Sequence, residues 1–480
     1  MSDDATRPAP DALLTTIADY VLAADTITSD EAYATARLTT LDAIGCGLLA
    51  LSFPACAQFL EPLIPGVVAP FGARVPGTAY RLDPMEAALD IGAMNRWLDY
   101  NDTWLAAEWG HPSDNLAAIL ALADYMSQRR VAEGGAPVLM RDVFTALIQA
   151  YEIQGVLAIK NAFNTMGLDH VLLVKLASAA VCTRLLGGDR DAIISATSNA
   201  LVDGGTLRVY RHAPNAGPRK SWAAGDASAR AVRLALLALR GEDAYPTALS
   251  APTWGWQNVF SAGQPLTLAR SLGSYVMENI LFKVSYPAEF HAQTAVEAAL
   301  ALRPQVADRL DEIVSVRLTT QQAGKRIIDK RGPLANPADR DHCLQYIVAV
   351  ALLYGELTGE SYSDATAADP RIDALRAKMT VAEEQRFTCD YLDPELRSIA
   401  NGIEITFADG STLDPVIVEY PLGHRRRRAE GLPLLRAKLR ANLATQLAPA
   451  QVEAVVALAD DPARLDGMAA SAFVDHFLVG

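Results

Sequence analysis

The residues best placed for acid–base chemistry fall in one stretch. Leu98-Asp99-Tyr100-Asn101-Asp102-Thr103 reads as a helix end, and Trp104 to Gly110 leads from it into His111-Pro112-Ser113-Asp114-Asn115. Ser113 or Asp114 is placed to cap the next helix, which gathers an imidazole, carboxylates and a hydroxyl beside the positive end of a helix dipole. Such a group could hold a substrate carboxylate while a base removes a proton. Capping and loop hydrogen bonding alone would use the same residues.

Other candidates are spread along the chain. Arg208-Val209-Tyr210-Arg211-His212 leads through Gly217-Pro218-Arg219-Lys220 to Ser221, the expected N-cap of a helix. Cations on that approach suit a carboxylate or phosphate, and an exposed basic loop is the alternative. Phe282-Lys283-Val284-Ser285-Tyr286-Pro287-Ala288-Glu289-Phe290-His291 concentrates a lysine, a glutamate and a histidine where the texture of the chain changes. His170 opens a helix after Gly167-Leu168-Asp169, as a catalytic group or as first-turn decoration. His342 and Tyr346, four apart on an expected helix, share a face, as a donor pair or as ordinary packing. His424 with Arg425 to Arg428 is a charge run, read as a solvated loop or a docking surface for an acidic partner.

Composition narrows the classes. The 480 residues are 51% hydrophobic and 20% charged, with 56 acidic against 42 basic side chains and a net charge of −14. That is a folded chain of two or three domains, with enough length for a real core. The acidic balance argues against nucleic acid and anionic membrane as partners. No GxGxxG follows a strand and no GxxxxGK[ST] occurs, so nucleotide binding has no support. The five cysteines, at 46, 56, 182, 343 and 389, lack metal-ligand spacing and read as buried thiols in a reduced compartment, the cytoplasm. The acidic N-terminal residues do not resemble a signal peptide, and the most apolar stretch, Ala43 to Phe59, is interrupted by Gly, Ser, Pro54 and Gln58.

The elements that must position these groups are mostly helices. From Asp11 to about Glu242 apolar residues recur at three and four, with no convincing strand. Thr28-Ser29-Asp30-Glu31 has capping-box spacing ahead of a helix over 32–51, and Asp83-Pro84 caps one over 85–100. Further helices are expected over 115–127, 141–162, 170–186, 190–202 and 221–240. After Pro287 a helix over 291–302 precedes an alternating strand over 313–319. Asn336-Pro337 opens a helix to about Leu357, and 403–407 turns at Asp409-Gly410 into 416–420. The expected fold is mainly α with an embedded α+β module: a large helical domain (1–275), a smaller mixed α/β lid (276–425) and C-terminal helices (426–480) that complete the helical domain. A cleft between them is where a small molecule would bind.

With these motifs in view, the chain resembles the MmgE/PrpD family over nearly its whole length. The signposts stand in family order: Leu41-Asp42-Ala43-Ile44-Gly45, then Trp97 to Thr103 with His111 to Asn115, then Lys220-Ser221-Trp222-Ala223-Ala224-Gly225, then Tyr286 to His291. The long block from Trp97 to Asn115 is the specific one. The resemblance implies a homodimer with an interdomain site, and it carries that site onto Asp99, Thr103, His111, His170, Lys220, the Lys283 region and Tyr346. Arg211 and His291 join them from the residue reading.

The activity implied is metal-independent and cofactor-free dehydration of the tricarboxylate 2-methylcitrate in propionate breakdown. A related branch decarboxylates cis-aconitate and has a histidine after its Pro-Ala dipeptide; Glu289 stands there in this chain, and Asn101 replaces an aspartate, which favours dehydration. Asp99, His111, His170 and Lys220 are expected to be catalytic, and Thr103, Arg211, Lys283, His291 and Tyr346 to bind substrate. Another polycarboxylate lyase, or a helical scaffold without activity, are the competing readings.

Overall fold

The computed structural model describes residues 7–212, 214–393 and 395–479. Its helical part begins with α1 (Ala12–Leu22), α2 (Asp30–Ala50), α3 (Pro54–Phe59), α4 (Pro84–Arg96), α5 (Leu116–Ala132), α6 (Met140–Lys160), α7 (Val171–Leu185), α8 (Arg190–Val202) and α9 (Arg219–Ala238). Helix α2 is capped by the Ser29 hydroxyl, which accepts from Ala32 N, so the cap sits one residue after the expected Thr28. The Asp83 carboxylate caps α4, with Pro84 in its first turn, as its sequence predicts.

One apolar cluster runs from Leu14 to Val284 and resumes from Leu435 to Phe477, so the C-terminal helices pack into the same core as the first ones. A second cluster lies between Ala288 and Phe407. It contains the Gln293–Val306 and Leu344–Tyr354 helices and one face of a four-stranded sheet in the order Met379–Glu383, Ile313–Thr320, Asn401–Phe407, Val416–Val418. Ile313–Thr320 pairs parallel to Met379–Glu383 and antiparallel to Asn401–Phe407. The alternating strand and the hairpin return are where the pattern put them.

Several local expectations are corrected. The region thought free of strands has two short ribbons, β1 (Ala73–Arg74) with β2 (Arg81–Leu82), and β3 (Trp104–Leu105) with β4 (Trp109–Gly110). Helix α9 begins at Arg219, so Ser221 is inside its first turn rather than its cap. Neither Ser113 nor Asp114 caps α5: Pro112–Asn115 is a 3-10 turn, and Ser113 Oγ donates to Asp102 Oδ1 instead. The helix expected from Asn336-Pro337 breaks after Arg340 and restarts at Leu344, which leaves His342 in the gap and separates it from Tyr346. The strand Met379–Glu383 was not anticipated. Cys389 is exposed, not buried.

The Arg425–Arg428 run is exposed at Arg425 and Arg426 and partly buried at Arg427 and Arg428, and its arginines are paired within the chain. Arg425 pairs with Glu31 of α2 (2.6 Å), Arg427 with Glu297 of the mixed module (2.8 Å), and Arg428 donates to the Ile280 carbonyl (3.0 Å). These arginines tie the two cores together.

Candidate active site

The site grows from the end of α4. The chain reverses at Asp99, whose φ of +50° is a left-handed conformation that aspartate tolerates better than most residues. Three contacts hold it there. Arg96 Nη1 donates to Asp99 Oδ1 (2.6 Å), Lys283 Nζ lies 3.0 Å from the same oxygen, and Lys283 also donates to the Asp99 carbonyl. Burial pushes the Asp99 carboxyl up, but Lys283 and Arg96 outweigh it and hold it well below its usual range, so it is ionised. Such a strained, over-determined residue is typical of a functional site.

His111 follows the β3–β4 ribbon, which swings it back over Asp99. Its Nδ1 lies 2.6 Å from the Asp102 carbonyl oxygen and 3.3 Å from Thr103 Oγ1. A carbonyl can only accept, so Nδ1 carries the proton and Nε2 is the basic nitrogen. That Nε2 stands 3.3 Å from Asp99 Oδ1. Burial, with Arg96 next, pulls the His111 imidazole well below its ordinary value, so it is neutral at pH 7. The result is a neutral base beside a carboxylate that would stabilise it once protonated.

His170, at the start of α7, faces His111 with ring centroids 6.0 Å apart. Its Nδ1 lies 3.2 Å from Asp169 Oδ1 and its Nε2 3.6 Å from Asp114 Oδ2. Among the described residues neither nitrogen, nor either Asp114 carboxylate oxygen, has a hydrogen-bond partner. Arg211 grips Asp169 through Nε and through Nη2 (3.2 Å) and so holds the acid that orients His170.

Between the histidines lies a narrow cavity of about 20 Å³, with Arg96, Asp99, Thr103, His111, His170, Arg208, Arg211, Glu289 and His342 on its walls. Leu105, Trp109 and Phe290 supply its apolar side. A wider groove of about 220 Å³ beyond Leu105, between Tyr275, Arg397 and Arg426, has neither His111 nor His170 on its walls. Chemistry, not size, selects the smaller one.

Lys220, in the first turn of α9, donates to Asp341 Oδ2 (2.5 Å) and lies 2.9 Å from His342 Nδ1. Burial lowers its ammonium below the ordinary lysine value, against the pull of Asp341. Asp99, Asp341 and His342 each offer a ligand atom, all within 4.8 Å of one another. Lys283 and Arg96 face the first and Lys220 the second, so ammonium and guanidinium groups already hold the positions a cation would take.

Lys220 and Lys283 are not on the cavity wall, and two further expected substrate ligands stand elsewhere. His291 is fully buried, its Nδ1 donating to Glu289 Oε1 (2.8 Å), and it does not reach the cavity wall. Tyr346 spends its hydroxyl on the Ser361 carbonyl (2.8 Å) and stacks on Tyr362. The helix break at Cys343 brings His342 to the cavity instead. Arg96 and Asp169 were not singled out from the sequence, although each is close in the chain to a residue that was: Arg96 three before Asp99, Asp169 next to His170.

A mainly helical protein in which a buried two-histidine pair faces a cavity shared with a mixed module is an acid–base enzyme by construction. Residues 15–269 match the MmgE/PrpD N-terminal domain and residues 286–461 the MmgE/PrpD C-terminal domain. The chain belongs to the MmgE/PrpD family. It is 57% identical to a 2-methylcitrate dehydratase of Cupriavidus necator over 99% of both chains. It is 55% identical to that of Salmonella typhimurium and 54% to that of Escherichia coli K12, each over 98% of both chains. Among the described residues no helix is long and apolar enough to cross a membrane.

Proposed function

We propose that this protein is a hydro-lyase that dehydrates 2-methylcitrate to 2-methyl-cis-aconitate in propionate catabolism. The observation that carries the reading is full-length identity of 54–57% to relatives bearing that name. The site's geometry supplies the mechanism. His111 Nε2 takes the proton from the carbon bearing the methyl group, and Asp99 Oδ1, 3.3 Å away, stabilises the imidazolium that forms. Charge develops next to a substrate carboxylate, and the Arg96, Arg208, Arg211 and Lys283 cluster is the source of compensating positive potential.

His170 gives its proton to the hydroxyl that leaves from the neighbouring carbon. Burial lowers its imidazole, and the Asp169 and Asp114 carboxylates oppose that. A trianion entering the cavity adds to their side and favours the protonated form the step needs. Thr103, on the cavity wall, is assigned to orienting the substrate, and Lys220 to fixing Asp341 and His342 beside it.

Purified protein should convert 2-methylcitrate to a product absorbing in the ultraviolet as a conjugated alkene, with the mass of the substrate less water. Loss of carbon dioxide from cis-aconitate instead would assign it to the decarboxylating branch. We further read the chain as a helical domain (1–275 with 426–480) and a mixed lid (276–425). Support comes from the two apolar clusters, although the C-terminal family match runs on to 461. A homodimer in the cytoplasm completes the proposal; sedimentation equilibrium tests the first part, and the free thiols suit the second.

A further inference from the structure

Four cations on or near the cavity wall are already engaged. Arg96 holds Asp99 and Asn101 (2.6 and 2.8 Å), Arg211 holds Asp169, Lys220 holds Asp341 (2.5 Å) and Lys283 holds Asp99 (3.0 Å). Each of these four is bonded through its side chain to a carboxylate that shapes the site.

Arg208 differs. Its side chain is 7% exposed, and its Nη1 has no hydrogen-bond partner. The nearest carboxylates, Asp169 and Glu108, stand 3.6 and 3.7 Å from it, an electrostatic distance without a bond. A buried N–H left bare costs stability, and a native fold keeps such a group where a ligand or water will satisfy it. The guanidinium is also fixed. It lies over the Trp109 ring, 5.1 Å from the centroid, while its backbone N donates to Gly167 O (2.9 Å), beside the segment that leads into His170. Arg208 and Trp109 both border the cavity that contains His111 and His170. The groups around Arg208 include Glu108, Asp169, Tyr210, Arg211, His212 and Trp109, with Arg326 also over the Trp109 ring, and among the described residues none of them bonds to Nη1.

We propose that Arg208, held over Trp109, is a carboxylate subsite of the active site, and that it grips one carboxylate of the tricarboxylate substrate and so places the reacting carbons between the two histidines. The assignment rests on the dehydratase reading, but it is testable without turnover. The probe is propane-1,2,3-tricarboxylate, which has three carboxylates and no hydroxyl to lose.

A charge-assisted hydrogen bond lost from a buried site weakens binding about ten- to a hundredfold. Calorimetry should therefore find the Kd of Arg208→Gln for this probe raised by that factor, and the KM for 2-methylcitrate raised more than kcat is lowered. Arg208→Lys, which keeps the charge and loses the fork, should fall between. Millimolar guanidinium should restore part of the affinity of Arg208→Ala and do nothing for the parent protein. Unfolding midpoints establish which variants fold; if Arg208→Gln does not, Arg208→Lys carries the test. A Kd within twofold of the parent in a folded variant overturns the subsite. So does a fall in kcat with Kd and KM unchanged, which would make Arg208 only a support for Asp169. A parent protein that binds the probe through Arg208 but does not dehydrate 2-methylcitrate leaves the subsite standing and removes the dehydratase reading instead.

Discussion

The proposed role of His111 as a base rests on where its two nitrogens end. Nδ1 is committed to the Asp102 carbonyl, 2.6 Å away, and only Nε2 is available to accept a proton. Removing it should lower kcat by about 10²–10⁴ while leaving the fold intact, so His111→Ala should keep its far-ultraviolet circular dichroism and lose turnover. The pH profile follows from the same burial. The folded imidazole lies well below its ordinary value, so the basic form survives to lower pH than a free histidine would allow, and activity falls only as the pH drops through that lowered value. In Asp99→Asn the carboxylate that favours the imidazolium is gone. The acid limb of kcat/KM should move to still lower pH while kcat drops, and an unmoved limb would separate Asp99 from the base. His111, Asp99 and Thr103 were legible in the sequence because they sit in one short block around a helix end. Tyr346, carried over by the resemblance, bonds the Ser361 carbonyl instead, and the break between Arg340 and Leu344, which no cap or proline signals at 341–343, puts His342 on the cavity wall.

Helices α4 and α9 carry the two sides of the site, Asp99 just past the end of one and Lys220 in the first turn of the other. They approach through glycines. A Cβ on Gly92 would lie 2.5 Å from the Gly225 Cα, and one on Gly225 would meet the Leu89 carbonyl oxygen and, at 3.0 Å, the Ala93 nitrogen. Those obstacles are backbone and cannot swing away. Gly225→Ala should cost about 1–3 kcal/mol in urea unfolding and reduce activity as well, because separating the helices moves Lys220 from Asp99. The same helix carries a second test. Asp90 is buried, its Oδ2 unpartnered among the described residues, and burial, with Glu86 next, pushes its carboxyl from the ordinary 3.8 up to about 8. The folded state then binds the proton more tightly, so this stabilising contribution is full below pH 3.8 and is lost as pH rises towards 8. Relative to Asp90→Asn, the parent should lose about 1.4 kcal/mol per pH unit between pH 5 and 7.5, and parallel curves for the two proteins would refute the shift. The elements themselves were largely readable from caps and periodicity. Met379–Glu383 was not, since only Met379 and Val381 face the core and two apolar residues make no pattern.

At the scale of the whole chain, the last helices are needed to close what the first ones begin. Lys438, on the Arg428–Leu443 helix, is buried, and its ammonium lies 2.8 Å from Asp42 Oδ1 of α2 while donating to the Tyr100 carbonyl (2.8 Å) and the Lys283 carbonyl (2.7 Å). One cation thus joins the N-terminal core, the segment that carries Asp99 and the segment that carries Lys283. Asp42 and the Leu41 to Gly45 block around it could be recognised in the sequence, but their purpose could not, because the partner lies about four hundred residues further on and no spacing rule reaches it. Removing the amine alone leaves a buried carboxylate and two carbonyls uncompensated, so Lys438→Met should cost about 3–5 kcal/mol in chemical denaturation. Adding Asp42→Asn removes the stranded charge and should return a substantial part of that loss, the non-additivity expected of groups in contact. Stability and catalysis should then part. The double variant regains its fold, yet the Tyr100 and Lys283 carbonyls still lack their shared donor, Asp99 and Lys283 are held less firmly, and kcat should stay depressed. If instead turnover recovers in step with stability, Lys438 holds the fold together without positioning the site.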